Sequence, residues 1–211
     1  MTITIPTGDL VGVLSDVVNF AHPKPDGGVL NCVRLNWDGE YLHATATDRI
    51  RAGISTWHKD DEPDDDGQDD LFSNWGGADN PWSILMPLDD AKDVISNYKL
   101  GPKEYRVPLT IDLHQGVLKI ERSRDTGHSR LVMQIQGVLE EFPDVREILA
   151  NNDRVKPVTG QLYTAKFLAD FAKVRARGPL QLAFAEGLTH ITIGKRFVGA
   201  IAPLPEDRAA A

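Results

Sequence analysis

Apolar residues recur at three- and four-residue intervals in three stretches of this chain and at every second position in much of the rest. That pattern predicts a few amphipathic helices set among strands. Over residues 9–20, Leu10, Val13, Leu14, Val17 and Val18 fall on one stripe, and Asp9 is placed to cap the helix they predict. Over residues 88–98, Leu88, Ala91, Val94, Ile95 and Tyr98 form a second stripe. Asp89 and Asp90 lie in its first turn, where the helix dipole favours acids. A third helix is predicted over 165–177, with Thr164 as its cap and Gly178-Pro179 as its stop.

Between these helices, strand-like runs are bounded by turn residues. Residues 29–37 and 41–47 flank Asp38-Gly39, and 105–114 and 117–123 flank Gln115-Gly116, so both pairs read as hairpins. Further strands are predicted at 49–58, 82–86, 130–138, 161–163, 180–184, 189–193 and 196–203. Residues 22–28 form a loop, 60–81 an excursion loop, 151–156 a linker, and the tail from residue 206 frays. Each helix is thus accompanied by antiparallel strands, with weak internal repetition. The expected class is α+β, with antiparallel sheets and helices on one face.

Composition narrows the setting. A chain of 211 residues fits one or two domains. No run approaches the ~18 apolar residues of a membrane helix. The N-terminus has no basic region followed by a long apolar stretch, so no signal peptide is read. Cys32 is the only cysteine and lies in an apolar run, which suits a buried thiol and a reducing cytoplasm. The net charge of −8 comes from one segment: residues 60–70 hold eight acids and no base, while the remaining 23 acids balance 23 Lys and Arg. The body is therefore neutral overall, compatible with a local basic face.

Catalytic chemistry is not indicated. There is no nucleotide-binding glycine loop and no nucleophile motif. The six His are scattered without metal-ligand spacing. Residues 62–67 are faintly like a calcium loop, but Pro63 interrupts it and Ser73 stands where a bidentate Glu is required. A non-enzyme without cofactor or metal is expected.

The functional signal lies in two distant segments, Ala46-Thr47-Asp48-Arg49-Ile50-Arg51 and Glu141-Phe142-Pro143-Asp144-Val145-Arg146-Glu147-Ile148-Leu149. A third, Phe197-Val198-Gly199-Ala200-Ile201-Ala202-Pro203-Leu204, closes the chain as an apolar strand. In this order they resemble the bacterial sliding clamp, the β subunit of the replicative DNA polymerase III. The family has three domains per chain and closes as a ring of six. This chain has about one and a half, which fits a divergent, shortened, phage-encoded version. The resemblance implies a DNA-clamp-like fold, with residues 1–150 one complete domain carrying the acidic loop 60–81, and 151–211 a shortened second domain and tail.

It further implies a cytoplasmic, homo-oligomeric processivity factor that encircles double-stranded DNA without reading sequence and tethers a polymerase or other clamp-binding protein. The partner-peptide pocket would be lined by Leu30, Thr47, Arg51, Ala52, Pro143, Ile148, Ala200, Ile201, Pro203 and Leu204. A mostly apolar inter-domain cleft of this kind suits a short peptide anchor. Ile148, Ala200 and Ile201 read equally as ordinary interface core. Arg49 and Ile50 depart from the small polar residues usual in the family. The DNA-facing candidates are Lys92, Lys99 and Lys103 around the second helix and Lys166, Lys173, Arg175 and Arg177 on the third, where solvated lysines would look the same. Finally, Gln68, Asp70, Leu71 and Phe72 fit the Gln-x-(Ser or Asp)-Leu-Phe pattern of clamp-binding peptides, unless Leu71 and Phe72 tuck onto the core. The alternative function is then a non-encircling regulator that binds a host clamp through this loop.

Overall fold

Two strands that lead into helices cross to each other's sheets, and this exchange organises the molecule. Strand β1 (Thr2–Pro6) runs into helix α1 (Thr7–Val17), followed by β2 (Cys32–Trp37), β3 (Tyr41–Thr47) and β4 (Arg51–His58). After a two-residue strand β5 (Gly76–Gly77), the pattern repeats as β6 (Trp82–Pro87), α2 (Leu88–Asn97), β7 (Pro108–His114), β8 (Val117–Ser123) and β9 (Arg130–Gln136). A short helix α3 (Val145–Ala150) precedes a third, smaller unit: α4 (Ala165–Asp170), β10 (Leu180–Ala185), β11 (Leu188–Ile193) and β12 (Phe197–Ile201). This computed structural model describes residues 1–60, 76–77, 80–99, 101, 105–123, 130–150, 161–185 and 187–204.

β1 pairs antiparallel with β7, and β6 with β2, so the first two units lend their leading strands to one another. The result is a five-stranded sheet, β5-β1-β7-β8-β9, and a seven-stranded one, β10-β11-β12-β4-β3-β2-β6. The third unit joins the first through β12, which sets Ala200 against Ala52 and Ile201 against Arg51 on β4. Helices α1, α2 and α4 pack onto the core side of the sheets. There Leu10, Val13, Leu14 and Val17 meet Ile3, Ile5, Leu35, Trp37, Ile111 and Ile120, all buried. Each such side chain contributes roughly 1.5–3 kcal/mol by leaving water.

The expected α+β class, with antiparallel sheets, is what the chain adopts. Several boundaries differ, for local reasons. α1 begins at Thr7 after Pro6, so Asp9 is not its cap but lies in the first turn, accepting the Tyr105 hydroxyl at 2.5 Å. Residues 25–31 form a 3-10 stretch, so the first hairpin strand starts at Cys32, whose thiol is buried. β4 starts at Arg51 because Arg49 turns with a φ of +75°. β9 stops at Gln136, since the Val138 N–H crosses to the Leu85 carbonyl in the other sheet at 2.9 Å. Residues 161–163 are not a strand; the Leu162 carbonyl accepts the Leu204 N–H at 2.7 Å.

The third helix is the largest discrepancy. It ends at Asp170, tightens to a 3-10 turn over Phe171–Lys173, and becomes extended at Val174. The cause is distant: Asp16 on α1 accepts the Arg175 N–H at 2.6 Å, and Ala176 is buried beside it. Within the excursion 60–81, Gly76 and Gly77 pair with β1. The linker at 151–156 and the tail from 206 lie outside the described residues. Among the described residues, no helix is long and apolar enough to cross a membrane.

Candidate partner-binding seam and DNA-facing helices

The segment 46–51 is a stapled turn at the head of the β4–β12 seam. Asp48 N–H donates to the Arg51 carbonyl at 3.1 Å, and the Thr47 hydroxyl donates to the same carbonyl at 2.8 Å. The Asp48 carboxylate accepts the N–H groups of Ile50 and Arg51 at 3.0 and 2.7 Å, which holds Arg49 in its left-handed conformation. The Arg51 guanidinium then turns inward. It pairs with Asp48 at 2.7 Å and with Asp170 on α4, and lies over the rings of Phe167 and Phe20 at 4.4 and 5.8 Å. Lys173 adds a second cation to Asp170 at 2.6 Å.

Strand alternation splits the predicted pocket residues between two faces of the seam. Arg51 and its register partner Ile201 point to the core side, toward Phe20, Phe171 and Phe197. Thr47, Ala52 and Ala200 share the opposite face. There α3, absent from the sequence-derived element list, lies across the seam: Val145 and Leu149 pack onto Ala52, Ile54 and Ala200, with Phe142 and Leu188 at the border. Of the remaining candidates, Ile148 on α3 is exposed, Pro143, Pro203 and Leu204 are half-buried, and Leu30 is buried in the 3-10 stretch.

Two histidines stand on this α3 face. His190 is opposite Ala200, and His43 is opposite Thr56. The neutral His43 ring fits its partners, with Nε2 donating to Asp38 at 3.0 Å and Nδ1 accepting the Thr56 hydroxyl at 2.9 Å. Burial lowers the pKa of both imidazoles; for His43 the hydrogen bond to Asp38 acts in the other direction.

The basic candidates expected on the third helix do not all lie on it. Lys92 is exposed on α2 and paired with Asp89 at 3.0 Å, but Lys99 lies beyond the end of that helix. Lys166 is exposed on α4, Lys173 is exposed on the 3-10 turn, and Arg175 and Arg177 are exposed on the extended segment after it. Lys103 and the loop peptide Gln68, Asp70, Leu71 and Phe72 lie outside the described residues.

Sequence reasoning missed a buried acid. Asp16 on α1 is fully buried and accepts the Ser55 hydroxyl at 2.7 Å, the Arg175 N–H at 2.6 Å and the Arg196 guanidinium at 3.0 Å. Arg196 reaches it by crossing Gly12, where a Cβ would stand 3.1 Å from its Nη1. The signal was available: Val13, Asp16 and Phe20 follow helical spacing, so an acid sat on the apolar stripe.

Helix-and-strand units with exchanged leading strands, joined edge to edge into a larger sheet, constitute the fold of the bacterial DNA polymerase sliding clamp. Among solved structures, the chain is similar to the sliding clamp of Pseudomonas aeruginosa, with a TM-score of 0.71 and 12% identity over 97% of this chain and 67% of that one. It is similar to the DNA polymerase III beta subunit of Thermotoga maritima (TM-score 0.67, 13% identity, 97% of this chain and 65% of that one). A third likeness is to the sliding clamp of Bacillus subtilis (TM-score 0.67, 15% identity, 97% and 64%). The chain therefore spans about two thirds of the length of these clamps, and at such identities the likeness is one of fold. No protein-family model matches the sequence, and no curated protein matches it by sequence.

Proposed function

We propose that this chain is a small sliding-clamp-like processivity factor without enzymatic activity. It self-associates around double-stranded DNA and tethers a polymerase through the α3 face of the β4–β12 seam. The observation that carries this reading is the seam: a third unit is joined edge to edge to a first, with an apolar bed crossed by a short helix whose Ile148 stays exposed. Ala52 and Ala200 lie beneath Val145 and Leu149, and half-buried Pro143, Pro203 and Leu204 with exposed Ile148 supply an apolar surface for a peptide anchor. DNA contact falls to Lys92 and Lys166 on the helices and to Lys99, Lys173, Arg175 and Arg177 just beyond their ends. Such contacts are phosphate-directed, so binding weakens steeply with salt. A cytoplasmic location and a phage source agree with this role.

Retention on nicked circular DNA tests the function. The chain, loaded by its polymerase system, is expected to stay on closed circles and to slide off once they are linearised. Equal retention on both forms would overturn encirclement. The Gln68–Phe72 sequence supports the second reading, a regulator of a conventional clamp. That reading predicts capture by such a clamp, lost in Leu71→Ala/Phe72→Ala, with no topological retention on DNA.

A further inference from the structure

The third unit and the segment 60–72 carry opposite halves of one chemistry. Residues 161–204 hold six Lys and Arg against two acids, Asp170 and Glu186. Asp170 is buried and already engaged by Arg51 and Lys173. Lys166, Lys173, Arg175, Arg177 and Lys195 are exposed. Exposed apolar side chains accompany them: Leu180, Leu182 and Phe184 on β10 are 50%, 43% and 41% exposed, and Leu168 on α4 is exposed as well. The three β10 residues lie opposite Ile193, Ile191 and Thr189 on β11, and Phe167 of α4 packs against the cluster that holds Ile191 and Ile193. Alternation therefore directs them to the side of the sheet that carries α4. That side is both basic and apolar.

Residues 60–72 are its complement. Eight of the first eleven are acids, none is basic, and Leu71-Phe72 follow directly.

The sheet delivers this segment to the basic surface. Leu180, Ile193, Phe197 and Ser55 stand in one row across β10, β11, β12 and β4. Past that row, at the same end of the sheet, lie Arg177 before β10, Lys195 between β11 and β12, and Asp60 just after β4. Asp60 is exposed, its N–H donating to His58 Nδ1 at 3.2 Å; residues 61–75 lie outside the described residues. Three strand spacings put Arg177 about 15 Å from where the acids begin. Eleven extended residues span up to about 35 Å. The segment's far end also returns toward these cations: Gly76 pairs with Thr4 of β1, which runs into α1, whose Asp16 holds the Arg175 N–H. The exposed side of α2 repels such a segment, with Asp89 and Asp93 beside Lys92.

We propose that residues 60–72 dock on the third unit of their own chain. The acids lie against Lys173, Arg175, Arg177 and Lys195, and Leu71 and Phe72 cover Leu182 and Phe184. Its bearing on function rests on the reading above, in which some of these cations contact DNA: the segment and the phosphate backbone then compete for them, and salt weakens both.

Disulfide trapping in the full chain tests the docking. In Leu71→Cys/Leu182→Cys, mild oxidation at low salt is expected to link the segment to β10 within one chain, giving a faster-migrating species at the 23.3 kDa mass. Cys32 is buried and does not interfere. Adding Lys173→Gln/Arg175→Gln/Arg177→Gln should slow the link at least tenfold, and Leu71→Cys/Lys92→Cys, aimed at α2, should not link. No link to β10, or equal linking to α2, overturns the docking. A disulfide between chains gives the surface to a second copy and overturns it too. Should Leu182→Cys disturb folding, hydrogen exchange decides: amides of residues 180–184 should exchange about tenfold faster in Leu71→Ala/Phe72→Ala than in the wild type, and equal exchange overturns the docking. A short linear duplex should slow the link by competition. A link that the duplex leaves unslowed supports the docking and overturns the assignment of these cations to DNA. Duplex binding that is lost in Lys173→Gln/Arg175→Gln/Arg177→Gln, with no link formed, overturns the docking alone.

Discussion

The two faces of the β4–β12 seam are held by different chemistry. On the core side, α1 and α4 bring acids to two arginines: Asp16 to Arg196, and Asp170 with Asp48 to Arg51. On the reverse, α3 rests on alanines and a few aliphatic side chains, with Ile148 left in solvent. Charges buried in fixed pairs tolerate no rearrangement, because separating either pair strands an ion away from water. On the reverse face the contacts are apolar, with Val145 and Leu149 of the six-residue helix covering Ala52, Ile54 and Ala200, so displacing them strands no charge. One face therefore locks the third unit to the first, and the other is the face to which partner binding is proposed to fall.

The sharpest way to break this comparison is Asp16→Ala. It leaves the Arg196 guanidinium, the Ser55 hydroxyl and the Arg175 N–H without their acceptor, and about 3–5 kcal/mol of stability should be lost. A urea titration reads this directly; a loss below about 1 kcal/mol would mean the core side is not locked by charge. Arg51→Met should cost somewhat less, about 2–3 kcal/mol, because Lys173 still neutralises Asp170 while the methionine keeps packing against Phe167. The same titration checks it.

Acid should act on the reverse face. The folded pKa values of His43 and His190 are held below the ordinary imidazole value, chiefly by burial. As pH falls below about 6.5, unfolded imidazoles take up protons that the folded ones resist. Stability is thus complete above that pH and declines toward pH 5. The wild type should lose more of its urea midpoint between pH 7 and pH 5 than a His43→Gln/His190→Gln variant; equal losses would remove the histidines from the account. The smallest stability effect belongs to Ile148→Ala, within about 0.5 kcal/mol because the side chain is exposed. Its affinity for a polymerase clamp-binding peptide, measured by calorimetry, should fall about tenfold. An unchanged affinity would leave the α3 face without its proposed role.

How much of this was legible in the chain depended on the reach of each contact. α1 and α2 were readable because their stripes are local and periodic. The third helix was predicted too long because residues up to Arg177 are compatible with a helix, and the Asp16 carboxylate that draws Arg175 out lies 159 residues away. The seam segments were recognisable as a set, but their division between two faces was not. That division follows from the register of β4 with β12, which no spacing within either segment encodes. α3 escaped notice as a six-residue helix with no long stripe.

The reciprocal exchange of β1 and β6 has a consequence for how the protein is made. Thr2 must wait on the ribosome for Asp112, its hydrogen-bond partner 110 residues later, so the first strand emerges long before it has a place to go. Neither of the first two units can finish its own sheet from its own residues. They mature together or not at all, and the nascent N-terminal strand spends that interval as the segment most in need of protection from aberrant pairing.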